Sequence, residues 1–222
     1  MLSSPNMSER YVAWQQLHKV GAKAEGTLLE LWKSDDQRIR ARALHLLARI
    51  KGAEKKYINL ALKDNNPDIR ITGIRIARER GLDVIPFVKK MVNDKDAGVR
   101  RACAIALRHN ESPEAPALWT KLAQQHDGKD RWYLEALGLA LDKQQDKFFG
   151  AWLEAIGSDW DTPAGRDIIW RSRSSKTSDL LVKILLNKKT KDEEKPRYIR
   201  ALDFQSGPEK DAALIKLIGA GS

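Results

Sequence analysis

The chain has 222 residues and a mass of 25.1 kDa, with 42% hydrophobic and 32% charged residues. That balance fits a folded chain with a sizeable core and excludes disorder, and no apolar run approaches the roughly 20 residues that cross a bilayer. Lys and Arg number 40 against 30 Asp and Glu, a net charge of +10 that raises the question of an anionic partner.

The N-terminal Met1-Leu2-Ser3-Ser4-Pro5-Asn6 has no apolar signal-peptide core, so no export signal is expected. Arg10 opens a repeat: Arg10, Arg40, Arg70 and Arg100 recur at a step of thirty. Glu9, Ile39, Ile69 and Val99 precede them. Small residues (Ala13, Ala43, Gly73, Cys103) stand three places later, and Leu17, Leu47, Ala77 and Leu107 stand seven places later. Each unit reads as two helices. Tyr57 to Leu62 supplies a first helix, Lys63 to Asp68 a turn, and Ile69 onward a second helix with apolar residues at a 3.6 period, closed by Gly81. Val84 to Val92, the turn Asn93 to Asp96, and Val99 to Leu107 repeat the plan.

An insertion of about three residues then breaks the step. Second-type helices are expected over Gly128 to Leu141, from Thr162-Pro163 through Trp170, and from Pro196 through Leu202. First-type helices are expected at Ala115–Gln125, Lys147–Ile156, Asp179–Leu186 and Glu209–Ile218. Lys188 to Lys195 is expected to be a charged flexible loop, and Gly219 to Ser222 an appended tail. No segment alternates with period two, so the expected fold is all-α: one continuous right-handed α-solenoid of about six to seven two-helix repeats over residues 1–222.

Asp64-Asn65-Asn66-Pro67-Asp68-Ile69-Arg70 and Asp94-Lys95-Asp96-Ala97-Gly98-Val99-Arg100 resemble the HEAT repeat. A second likeness lies in Cys103 to His109, Asp127 to Gly138, Thr162 to Arg173, and Arg200 to Phe204. These are similar to the HEAT segment of large bacterial envelope proteins classed as membrane-bound dehydrogenases. In that family a sorbosone-dehydrogenase-like propeller precedes the array and a c-type cytochrome domain follows it. The resemblance implies an excised scaffold domain from a bacterial envelope or periplasmic protein, with the redox chemistry in the flanking domains and no catalytic residue in the array.

The turn acids Asp35/Asp36, Asp64/Asp68 and Asp94/Asp96 lie where a helix N-terminus favours negative charge, and the ladder arginines can bridge to acids of the same or the next unit. Arg40, Arg70 and Arg100 are therefore read as structural. Residues 34–110 hold 18 Lys/Arg against 9 Asp/Glu, net +9, while the remainder holds 22 against 21, net +1. Apart from the ladder, Arg38, Arg42 and Arg49, then Arg75 and Arg78, then Arg101 and Arg108 are read as a stripe on successive second helices, expected to line a basic concave face. Arg131, Trp132, Arg171 and Arg173 extend it. An anionic protein or polysaccharide suits such a face better than nucleic acid, although phosphate backbones favour basic grooves too. The bland alternative is a solvated helix surface.

Trp14, Trp32, Trp119, Trp152 and Trp170 are expected in the core, whereas Trp132 and the loop residue Trp160 are open to either role. His18, His45, His109 and His126 lack metal-ligand spacing, and phosphate-loop motifs are absent, so neither metal nor cofactor is expected. A lone Cys103 excludes an internal disulfide, and its place in the small-residue column predicts a buried, inert thiol. The resulting reading is a non-catalytic interaction or spacer scaffold. A HEAT-like alkylbase DNA glycosylase is the alternative, with Asp130 near Trp132 or Asp167 near Trp170 as its constellation.

Overall fold

The computed structural model describes residues 1–220, and the only regular elements among them are helices. The chain divides into two compact units, Met1–Ala106 and Leu107–Ser222. The first holds α1 (Met7–Val20), a short 3₁₀ turn (Gly21–Ala24), α2 (Glu25–Trp32), α3 (Gln37–Leu47), α4 (Glu54–Ala61), α5 (Pro67–Glu79), α6 (Ile85–Met91) and α7 (Ala97–Ala106). The second holds α8 (Ala115–Ala123), α9 (Arg131–Ala140), α10 (Gln145–Ile156), α11 (Pro163–Arg171), α12 (Thr177–Leu186), α13 (Lys195–Leu202) and α14 (Pro208–Ala220). Gly219 and Ala220 complete α14, while Gly221 and Ser222 of the expected tail lie outside the described residues.

Each unit is a stack of helical hairpins of the α-solenoid kind. In the first, α2 packs on α3, α4 on α5, and α6 on α7, with α5 seated between α3 and α7. In the second, α8 packs on both α9 and α10, α11 on α9 and α12, and α12 on α13 and α14. Local chemistry sets where second helices start. Asp36, Asn66, Asp130 and Thr162 cap α3, α5, α9 and α11 by accepting from Arg38 N, Asp68 N, Tyr133 N and Gly165 N. Pro67 and Pro163 occupy first-turn positions, where no N–H is missed.

The cores follow the 3.6 period. Leu44, Leu47, Tyr57, Ile58, Ile69 and Ile74 are buried in the first unit, as are Leu134, Leu137, Phe148 and Phe149 in the second. Trp119 and Trp152 are fully buried, as expected, and Trp119 Nε1 donates to Leu137 O at 3.1 Å. Trp14, Trp32 and Trp170 depart from expectation: each is only half-buried, and a guanidinium lies over its ring. Arg49 lies over Trp14, Arg40 over Trp32, and both Arg131 and Arg197 over Trp170. Cys103 is buried, and burial pushes its thiol up to about 12.

At three of the four steps the repeated arginine has the same job. Its Nη1 reaches back to two carbonyls of the turn before its own helix: Ser4 and Pro5 for Arg10, Asp64 and Asn65 for Arg70, Asp94 and Lys95 for Arg100, whereas Arg40 donates from Nε to Trp32 O at 3.2 Å. In Arg40 and Arg70 the guanidinium also reaches forward by 24 residues. Arg70 forms a two-pronged pair with Asp94, Nε–Oδ2 2.8 Å and Nη2–Oδ1 2.7 Å, and Arg40 pairs with Asp64. Asp64 and Asp94 thus accept one arginine on the carboxylate and the next on the carbonyl. Arg40 does not pair with Asp35 or Asp36, because Asp36 caps its own helix. The pattern changes in the second unit, where Arg166, three residues into α11, pairs with Asp161 of its own turn at 2.5 Å. The loop over 188–195 is tied down at Thr190, which is buried and donates to Ile184 O at 2.6 Å.

Two outcomes test these contacts. Burial raises the Asp94 carboxyl, but hydrogen bonds from Arg70 and from Asp96 N carry it below the ordinary value. A depressed carboxyl stabilises above its unfolded pKa of about 3.9 and loses that contribution as pH falls through the folded value. Urea midpoints should therefore fall with acidification below about pH 5, and Asp94→Ala should remove that pH-dependent part. Because it strands the buried Arg70, the same change should cost about 3–5 kcal/mol at neutral pH. Gly165→Ala would normally favour a helix by about 1 kcal/mol. Here the added Cβ would run into the Trp160 carbonyl oxygen, so thermal melts should instead show a loss of about 1–3 kcal/mol.

Candidate functional site

The expected basic surface falls on both units, and the geometry sorts its members by whether they have partners. In the first unit, Arg38, Arg75 and Arg78 are exposed, with no side-chain hydrogen bond or ion pair among the described residues. Arg38 is fixed at the first turn of α3 by the Asp36 cap. Arg75 and Arg78 lie one turn apart on α5 and, with Glu79, border an open depression of about 340 Å³. Arg42, Arg49 and Arg101 are half-buried. Arg42 donates to Leu2 O at 2.7 Å and pins the N-terminal segment, and Arg49 covers Trp14. His45, beside this group, is pushed below its ordinary pKa chiefly by burial.

The thirty step does not keep these charges in register. Arg78 corresponds to Arg108, but Arg38 corresponds to Asp68 and Gly98, and Arg75 to His45 and Ile105. The exposed arginines are therefore Arg38 in the first turn of α3 and Arg75 and Arg78 toward the end of α5, not an unbroken row.

In the second unit all but one of these arginines are paired with acids. Arg108 donates to Asp142 at 2.5 Å and His109 Nε2 lies 2.9 Å from the same oxygen, which holds the Asp142 carboxyl at about 2. Arg131 and Arg171 share Glu135, at 2.5 and 2.9 Å. Burial raises the Glu135 carboxyl, yet the two guanidinium groups bring it net below its usual range. Arg173 donates to Trp170 O and Ser172 O and lies over Phe204. Trp132 projects from α9 with 73% of its surface exposed. Asp130 caps α9, and Asp167 accepts from Arg197 at 2.5 Å and faces His126 Nε2 at 3.2 Å, so both candidate carboxylates of the glycosylase alternative already have partners.

Sequence reasoning missed Asp142, Glu135 and Arg197 as partners. An acid 34 residues after Arg108 and 36 before Arg171 was the available signal, since one repeat plus the insertion gives that spacing. No motif marks these pairs.

Residues 54–138 match the HEAT repeats family, a stretch running from α4 into α9. No curated protein matches the chain. HEAT repeats generally serve as protein-interaction scaffolds and are typically non-catalytic.

Carbon-detected NMR titration of Asp142 should give a carboxyl midpoint of about 2. Arg108→Ala should move that midpoint toward the ordinary value of about 3.9, while Arg38→Ala should leave it unchanged.

Proposed function

We propose that this chain is a non-catalytic interaction scaffold whose exposed arginines on α3 and α5 engage an acidic protein surface. One observation carries the reading: Arg38, Arg75 and Arg78 stay exposed without side-chain partners in a stretch where Arg40 and Arg70 are locked to aspartates. Exposed guanidinium groups suit planar, two-pronged pairing with carboxylates and steer the approach of a negative partner. The net +9 of residues 34–110 supports the same sign of partner. On the likeness to envelope dehydrogenases, the scaffold would hold its partner beside redox domains.

The test is charge reversal at Arg38, Arg75 and Arg78 together, with binding to poly-glutamate and to duplex DNA measured over a salt series. The native chain should bind the polypeptide with marked salt dependence. The variant should bind at least about tenfold more weakly and melt at an unchanged temperature. Stronger binding to DNA, lost in the same variant, would favour the nucleic-acid alternative. Binding to neither, or binding that the variant leaves intact, would refute the role of these arginines.

A further inference from the structure

The turn after α9 and the start of α10, within the second unit, border an open cavity of about 970 Å³, lined in part by Lys143, Gln144, Lys147 and Arg173. That volume is at the upper end of the roughly 300–1,000 Å³ typical of ligand sites. Its wall carries three permanent positive charges and two acids, Glu111 and Asp146. Asp146 is committed to other groups, accepting from Ser174 Oγ, Ser175 N and Ser175 Oγ at 2.6–2.9 Å. Glu111 is exposed, and only its carbonyl is engaged, by Lys147 Nζ at 3.5 Å.

One feature of this wall lacks its natural counterpart. Arg173 is half-buried, its guanidinium hydrogen-bonded only to the carbonyls of Trp170 and Ser172 and stacked on Phe204, and it is paired with no carboxylate among the described residues. We propose that this cavity binds a carboxylate-bearing peptide segment, with Arg173, Lys143 and Lys147 holding the carboxylate.

Burial and the neighbouring Arg171 both lower the pKa of Arg173, as expected of a cation awaiting an anion. Lys143 adds a second line of support, since it holds a left-handed backbone (φ 61°) where Gly81, after α5, makes the same kind of turn at φ 65°. A lysine at a position that favours glycine keeps a charge at the cavity at the expense of local strain. This site is separate from the α3–α5 arginines and stands or falls without them.

The full chain is titrated, with amide NMR shifts as readout, using four probes. One is N-acetylated tetraalanine with a free C-terminal carboxylate. The second is a doubly capped peptide with an internal aspartate, the third a doubly capped neutral tetraalanine, and the fourth inorganic phosphate. At least one acidic peptide should shift the amides of Lys143, Gln144 and Lys147 and bind about tenfold or more tightly than the neutral peptide. Which of the two binds better tells a chain terminus from an acidic side chain. Arg173→Gln should weaken binding about tenfold. Lys143→Gly should also weaken it, with an equal or higher melting temperature, and this decides the matter if the arginine variant fails to fold. Equal binding of acidic and neutral peptides, binding of phosphate but of neither acidic peptide, or full affinity in Lys143→Gly would overturn the proposal.

Discussion

The first unit depends on one repeated kind of bond: an arginine near a helix start that donates to backbone carbonyls before it, to an aspartate 24 residues on, or, as Arg70 does, to both. A buried ion pair is weak evidence of stability in general, since desolvation opposes the attraction. The position of Arg70 shows why the arrangement persists here. With 5% of its surface exposed, its guanidinium donates to acceptors on both sides of a repeat boundary, among them turn carbonyls that would otherwise lack partners. The ladder therefore ties one hairpin to the next. The apolar face then only needs to be hydrophobic and of suitable size.

This division of labour explains what could be read from the sequence. The helix pairs, the turn acid Asp36 before α3, the opening of α11 at Thr162-Pro163, and the buried Trp119 and Trp152 follow from local period and turn chemistry. Arg40, Arg70 and Arg100 were legible as structural from their column. Their partners were not, because Asp36 and Asp64 look alike in the sequence. Only the stacked geometry shows that one caps a helix and the other receives the arginine from the preceding repeat. The half-buried tryptophans were misread for a related reason. Helical spacing gives a face but does not show that a guanidinium from the neighbouring helix will cover the ring.

The basic surface was legible as a composition and not as a site. Net charge located the excess in residues 34–110 without separating Arg38, Arg75 and Arg78 from Arg42 and Arg49, which have intramolecular contacts. That separation depends on which carbonyl or ring each guanidinium meets, which thirty-residue periodicity does not encode. Beyond Ala106 the register shifts, and acids at 34 to 36 residues take over. Arg108, Arg131 and Arg171 are each paired with an acid there, and Arg173 is not.

Cys103 occupies a position where the stack tolerates only a small side chain, and it is sealed from solvent. The chain consequently carries a single nucleophilic sulfur whose accessibility is tied to the opening of α7 and its neighbours. Covalent labelling at that atom would report excursions of one hairpin layer alone, and the arginine-rich exterior would be left chemically untouched.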